Sequence, residues 1–403
     1  MDTEILRLKG DIDLIDMEGA ILINAGTSRF TKISGEYVPL VKRIVEMLRR
    51  GVTLQELIKA FDEDLDEIDV KEILKTLDSY QVIQTSSVDY GLSGTEQARY
   101  RQQINHFTAR FPADASEEYI KQLKTMDIFI YGAELLGSRI IQALALLGVG
   151  SINILTNFED VVEDEVYNTT FYRSRDIGKN KKETILKRCK EINPHVKYRV
   201  YYENEDQEVL KTSDLVILAF DISNYAAYEE INRFLVNHKR PALLCGFLQD
   251  DFFFGPTIIP GETACFSCLE KRCRGNKSFF QEYISYLEFL KQKRRVGNAL
   301  SARLDLISSF IINEILMLMP YLEKNISRIM AVRLEAMTIE DAVQLNNIFR
   351  YGHPITWNNQ VTFEFYPQFR MVNNPLLRMP RCAVCGSTAD KKPMVIPWSL
   401  PLE

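Results

Sequence analysis

Apolar positions along the chain follow two different rhythms. From Tyr37 to Arg49 they recur at helical spacing (Val38, Val41, Ile44, Val45, Leu48) and stop at Gly51, which predicts a helix. Thr53 stands at an N-cap position ahead of Leu54, Leu57, Ile58 and Phe61, and Val70 to Tyr80 repeats the helical pattern with Val70, Ile73, Leu74 and Leu77. Before this trio, Ile5 to Met17 and Ala20 to Ile33 alternate and are β-branched, with Gly26 as a turn. Two or three strands are expected there, the last spanning Ser28 to Ile33. Further on the rhythm changes to short unbroken apolar runs. Asp127–Tyr131, Asp214–Ala219 and Ala242–Gly246 read as buried strands, with Gly150–Leu155, Tyr198–Tyr202 and Phe252–Ile259 beside them. Between them, Ser138–Leu147, a segment ending near Lys190 and Tyr225–Asn237 read as helices.

Strands alternating with helices predict an α/β fold, a doubly wound and mostly parallel sheet, preceded by a small winged-helix-like α+β domain. The expected organisation is a first domain over residues 1–90, a linker and connecting helix over 91–116 (the helix from Glu96 to Phe111), and a second domain over 117–403. Arg303 to Leu322 predicts a helix with apolar residues on more than one face, which suits either a domain core or a homodimer seam.

Composition narrows the function classes. The 403 residues carry 49 basic and 55 acidic side chains, a net charge of −6. Glu56, Asp62, Glu63, Asp64, Asp66, Glu67 and Asp69 make the middle of the helix trio acidic, which argues against nucleic acid as a partner. The start Met1-Asp2-Thr3-Glu4 does not read as a signal peptide. The most apolar segment, Ile307–Pro320, contains Asn313 and Glu314 and is too short for a bilayer. A cytoplasmic protein without a membrane partner is expected. Seven cysteines then suggest metal or structural thiols rather than disulfides.

The strand at Asp127–Tyr131 runs into Gly132-Ala133-Glu134-Leu135-Leu136-Gly137 and a helix, the first unit of a dinucleotide-type fold. Such a turn delivers phosphate to a helix N-terminus. Here Glu134 replaces the middle glycine, and its carboxylate would repel phosphate. Gly148-Val149-Gly150, Asp176-Ile177-Gly178-Lys179-Asn180-Lys181 and Ile192-Asn193-Pro194 follow, then Cys265-Phe266-Ser267-Cys268 and Cys382-Ala383-Val384-Cys385. In this order the motifs resemble the ubiquitin-activating-enzyme superfamily of the ThiF/MoeB type, over roughly residues 120–390.

Each C-x-x-C hook can bring two sulfurs to one ion, and two hooks complete a tetrahedral shell, so Cys265, Cys268, Cys382 and Cys385 are expected to hold a structural zinc. Four thiolates leave no open position for catalytic water. Cys273 is a further candidate; Cys189 and Cys245 read as core residues.

Residues Leu6 to about Gln84 resemble a PqqD-like RiPP recognition element, through element order and the Ile33-Ser34-Gly35 entry to the first helix. The resemblance implies that a leader peptide adds a strand beside Ser28, Arg29, Phe30, Thr31, Lys32 and Ile33, against Val70, Ile73, Leu74 and Leu77. Joined to the ThiF-like part, the whole is similar to the partner proteins of YcaO-type azoline-forming cyclodehydratases in thiazole/oxazole-modified bacteriocin maturation. This implies a scaffold that presents a precursor peptide.

The alternative is an ATP-dependent enzyme that adenylates a peptide carboxylate. By the superfamily resemblance, Gly132, Gly137, Lys181 and Asp221 remain of a nucleotide site, together with Asn224. Asn157 and Glu159 fall on the aspartate pair, Asn168 on the arginine and Ser223 on the metal aspartate. These losses imply a vestigial site and no ATP cofactor. His106, His195, His238 and His353 stand alone, Lys291–Arg295 reads as a solvated helix end, and Pro393–Pro401 as an extended tail.

Overall fold

The computed structural model describes residues 5–9, 12–24, 30–80, 82–85, 90–110, 113–156, 158–202, 208–220, 225–248, 251–275, 299–322 and 354–386, with isolated positions from 281 to 289. Gly26, Ser28, Arg29, Asn157, Asp221, Ser223, Asn224, His353, the Lys291–Arg295 run and the Pro393–Pro401 tail lie outside them. The chain divides into two compact units, Met1–Leu123 and Lys124–Glu403.

In the first unit, β1 (Ile5–Leu8), β2 (Asp13–Met17), β3 (Ala20–Asn24) and β4 (Phe30–Ser34) precede α1 (Val38–Arg50). β5 (Val52–Thr53), α2 (Leu54–Ala60), α3 (Glu67–Ser79), β6 (Ile83–Thr85), α4 (Gly94–Arg110) and α5 (Ala113–Thr125) complete it. The stretch Ile5–Met17 is two strands of two different sheets: β5-β1-β6 and β2-β3-β4 are separate antiparallel sheets. Alternation alone cannot show which neighbour a strand will take.

The five apolar residues that signalled α1 are its buried residues. Thr53 caps α2 in a reciprocal box: its Oγ1 accepts from Glu56 N at 3.2 Å, and Glu56 Oε2 accepts from Thr53 N at 2.8 Å. A second box, in which Asp66 Oδ1 accepts from Asp69 N at 2.8 Å, starts α3 at Glu67, ahead of the apolar pattern. α5 was legible only as connecting sequence.

The second unit is built on β7 (Asp127–Tyr131), α6 (Leu135–Leu147), β8 (Ser151–Thr156), α7 (Glu163–Asn168), α8 (Lys181–Ile192) and β9 (Lys197–Tyr202). β10 (Leu215–Phe220), α9 (Tyr225–Asn237), β11 (Ala242–Leu248), β12 (Asp251–Ile258), α10 (Phe266–Gly275), α11 (Ser301–Leu318), β13 (Asn359–Glu364) and β14 (Arg370–Pro375) follow. The eight strands lie in the order β14-β13-β12-β11-β10-β7-β8-β9. The five from β11 to β9 are parallel, and β12, β13 and β14 continue antiparallel. The expected doubly wound, mostly parallel sheet is therefore present.

The β13–β14 hairpin carries Asn359, Gln360, Asn373 and Asn374, so its residues give little apolar signal; pairing with β12 makes them strands. α11 packs Leu304, Ile307, Ile311, Ile315 and Leu318 into the core, while Leu306 is 40% exposed. Buried Glu314 on the same helix accepts from Thr356 N at 2.8 Å and Ile355 N at 3.1 Å, tying α11 to the start of the hairpin. Among the described residues, no helix is long and apolar enough to cross a membrane.

The chain places β8 and β9 on one side of β7, then returns to place β10 and β11 on the other. The strand order reverses at β7, and the crevice beyond its C-terminal end is where ligands of such sheets bind.

Candidate functional site

The crevice begins with Gly132, at φ +104°, where a Cβ would meet Ala219 O at 2.4 Å. At Gly137 a Cβ would meet Gly132 O at 2.0 Å. Both glycines are thus required by the packing of the turn on β10 and of α6 on the turn, whatever binds there. The α6 N-terminus points its free N–H groups and positive dipole end into the crevice.

Glu134 is the N-cap residue of α6 and only 4% exposed; its carboxylate makes no capping hydrogen bond to the helix and pairs with Lys181 instead. Lys181 opens α8 and is fully buried. It is held by backbone stitching: its N donates to Glu159 O at 2.7 Å, and Gly178 N donates to Val161 O at 2.9 Å. Lys181 Nζ lies 2.5 Å from Glu165 Oε1 and 3.4 Å from Glu134 Oε1. It also sits 4.9 Å from the Phe158 ring centroid and 5.8 Å from that of Tyr172. Tyr172 Oη donates to Ala133 O at 2.8 Å, closing the group onto the glycine turn.

One ammonium therefore faces two carboxylates in a dry site. Burial pushes the Glu165 carboxyl up, opposed by Lys181 and reinforced by the Glu134 charge. Tyr172 is raised well above the usual phenol range, first by burial and then by Glu165 and Glu134. A phosphate entering here would meet carboxylates already paired to the lysine rather than a free cation.

Glu159 is exposed, and Asn168 spends its amide on Asp164 O at 2.8 Å. The arginine near this position comes from elsewhere. Arg139 on α6, 6% exposed, donates to Asn168 O at 2.7 Å and to Ser301 Oγ at 2.6 Å, and pairs with Asp305. It ties α6 to α7 and α11. Sequence reasoning missed Glu165, Tyr172 and Arg139. The one signal for Glu165 was its place three residues after Val162, whose N donates to Glu165 Oε2 at 3.3 Å. In a run of acidic neighbours that spacing looks like a solvated helix start.

The two cysteine hooks meet. Cys265 at the α10 entry and Cys268 in its first turn face Cys382 and Cys385, and the four sulfurs lie within 4.8 Å of one another, all buried. Cys265–Cys382 is 3.7 Å, Cys268–Cys385 3.4 Å and Cys265–Cys268 3.9 Å. Metal–sulfur bonds of about 2.3 Å in a tetrahedron require S···S near about 3.8 Å, so the four thiols fit a tetrahedral ion. Cys273 is not part of the cluster. Gly386 closes the second hook: its N donates to Cys382 O at 2.8 Å, and a Cβ there would meet that oxygen at 2.4 Å. A thiol proton from Cys265 helps hold Cys268 below the ordinary thiol range, while Cys265 and Cys385 are pushed up. Four ionised thiolates this close need a cation. Cys189 and Cys245 are core residues whose thiols burial raises.

In the first unit, β4 is an outer strand of its sheet and has no partner on the side away from β3 among the described residues. Beside its end lies a groove of about 410 Å³. Of the residues named for peptide capture, Ile33, Ile73 and Leu77 line it. Val70 and Leu74 pack into the core instead. Phe30, Thr31 and Lys32 belong to β4, with Lys32 exposed. Tyr37, Val38, Val41, Leu65, Asp69 and Glu72 also line the groove; the resemblance had pointed only to the strand and to apolar positions of the third helix. Two of the described histidines are exposed and lie against a neighbouring ring: His238 stacks on Phe234 at 4.1 Å, and His106 meets Phe107 edge-on at 5.7 Å.

Comparison with known proteins places this geometry. The ThiF family model matches residues 100–344. Protein HesA, vegetative, of Trichormus variabilis is 28% identical over 184 residues, 44% of this chain and 65% of that protein. The sulfur carrier protein adenylyltransferase of Thermus thermophilus is 27% identical over 157 residues, covering 37% and 57%. The chain spans less than two thirds of the length of the curated relatives it matches. Among solved structures, E. coli MccB with ATP superposes with a TM-score of 0.63 at 16% identity, covering 95% of this chain and all of that one. PaaA gives 0.63 at 18% identity, covering 92% and 100%. At these identities the likeness is one of fold.

Proposed function

The chain belongs to the ThiF family, and from that premise we propose that it is a non-catalytic scaffold. It captures the leader of a ribosomally made precursor peptide in its first unit and presents the rest to a YcaO-type azoline-forming cyclodehydratase. The observation that carries the reading is Lys181, buried and already paired with Glu134 and Glu165, so that among the described residues this lysine is not free to meet a triphosphate. The groove beside the open β4 edge supports peptide capture by strand addition. One neighbour in fold is described as a microcin C7 biosynthetic enzyme in complex with N-formylated MccA, which fits peptide maturation. The cysteine cluster holds a structural zinc in this reading, and the protein works in the cytoplasm.

A scaffold acts by concentration: tethering raises the local substrate to roughly millimolar. At micromolar peptide, adding the full chain to a YcaO-type enzyme from the same genome should raise azoline formation on its precursor by about tenfold or more. Ile73→Glu, which puts a charge in the groove, should abolish that gain. Equal stimulation by the variant would remove leader capture from the groove.

The second reading, an adenylating enzyme, is favoured by the retained Lys181 and by the adenylyltransferase among the relatives. It predicts pyrophosphate exchange into ATP that depends on a peptide carboxylate. The scaffold reading expects no exchange above background from the purified chain with MgATP. Robust exchange, lost in Lys181→Ala, would replace it.

A further inference from the structure

Resting on the capture reading above, we infer that the peptide segment seated in the groove is a short extended stretch with apolar side chains at alternate positions and a lysine or arginine beside them. The floor of the groove is apolar, from Ile33, Val38, Val41, Leu65 and Leu77. Among the described residues, its remaining lining includes two carboxylates, Asp69 and Glu72, and no lysine or arginine. The two acids stand three residues apart on α3, so they share one helix face. Of the cations on α1, α3 and β4, Lys71 pairs with Glu67 at 2.5 Å and Arg43 with Asp64 at 2.6 Å, while Lys32 and Lys75 are exposed to solvent. A segment added to the described part of β4 pairs with Phe30–Ser34, a span of about 17 Å. Alternate side chains of such a strand point the same way, so two or three can enter the groove while a neighbouring basic residue reaches the α3 carboxylates.

The contact is solvent-accessible, so its strength is that of an exposed ion pair, about fivefold in affinity per carboxylate at low salt. Screening removes it as ionic strength rises. Its role is choice among leaders and register along the strand: an acidic residue in the same place is repelled.

The test is a selection of random dodecapeptides by mRNA display against the immobilised full chain, with winners measured by fluorescence anisotropy. Enriched peptides should carry alternating apolar residues with a lysine or arginine at a fixed spacing from them. Glu72→Gln should weaken the winners about fivefold in low-salt buffer and leave them unchanged in molar salt. A peptide with its basic residue changed to glutamine should lose more affinity for wild type than for Glu72→Gln, in which Asp69 remains. Enrichment of the apolar pattern without a basic residue, or with an acidic one, would overturn the charge preference and leave groove capture standing. Winners that bind Ile73→Glu as well as wild type would show that the peptide sits elsewhere, and both would fall.

Discussion

Cys382→Ser is expected to abolish binding of the zinc proposed for the cysteine cluster and to lower the melting temperature of the purified protein by roughly 10 °C. Structural zinc sites bind with about 10–16 kcal/mol, and losing a third of that, about 4 kcal/mol, shifts the transition by about 2–4 °C per kcal/mol in a unit of this size. The loss is concentrated at one end of the molecule. Besides the burial of Leu376 in the core, residues 376–386 are held by Leu376 N to Asn358 O at 2.7 Å, Arg272 Nη2 to Leu377 O at 3.1 Å, Arg378 Nη1 to Gly261 O, and Met379 N to Cys268 Sγ at 3.4 Å. The last of these contacts depends on the cluster itself. Elemental analysis and calorimetry of both proteins decide the matter. A wild-type protein with no stoichiometric metal would sink it. Cys273→Ser, outside the cluster, should leave zinc and melting temperature unchanged and serves as the control.

Lys181→Met is expected to cost about 3–5 kcal/mol, because it leaves Glu134 and Glu165 buried without a cation. The triple change Lys181→Met, Glu134→Gln, Glu165→Gln should recover most of that loss, since a neutral set of similar shape carries no stranded charge. Acidity gives a second readout. Glu165 has its folded pKa raised by burial, so the folded state holds its proton more tightly than the unfolded chain. That stabilising linkage is fully present below the ordinary value of 4.5 and is lost as pH rises through the folded value. Removing Lys181 takes away the charge that opposes the shift. The variant's deficit against wild type should therefore shrink as pH falls from neutral toward the ordinary glutamate range. Urea unfolding across that range measures it. A loss under about 1 kcal/mol, independent of pH, would mean that the lysine and its two carboxylates are not a buried charge cluster.

The helices and strands were legible wherever their signal is local. α1 buries the five apolar residues whose spacing announced it, Thr53 caps α2, and Tyr225–Asn237 is a helix over that same range. The cysteine hooks were equally legible, because a C-x-x-C spacing constrains its own two sulfurs through one turn of chain. What escaped was set by neighbours distant in sequence. Ile5–Met17 divides because β1 pairs with β5 and β6 while β2 pairs with β3.

By itself, then, the sequence determined the repeating elements, the fold class, the paired thiols and the loss of a glycine at Glu134. All of these depend on spacing along a short stretch of backbone. Only the tertiary structure decided what Glu134 does. Residues 134, 165 and 181 come from the N-cap of α6, the middle of α7 and the start of α8, and they meet because β7, β8 and the stitched turn before α8 converge on one crevice. Burial there removes the water that would have screened each charge, so the carboxylate that read as repelling phosphate, and a second from an acidic run, become the partners of a buried lysine. The groove was decided in the same way. α3 carries Val70 and Leu74 into the core and Ile73 toward the open edge of β4, a difference of helix face fixed by what α3 packs against.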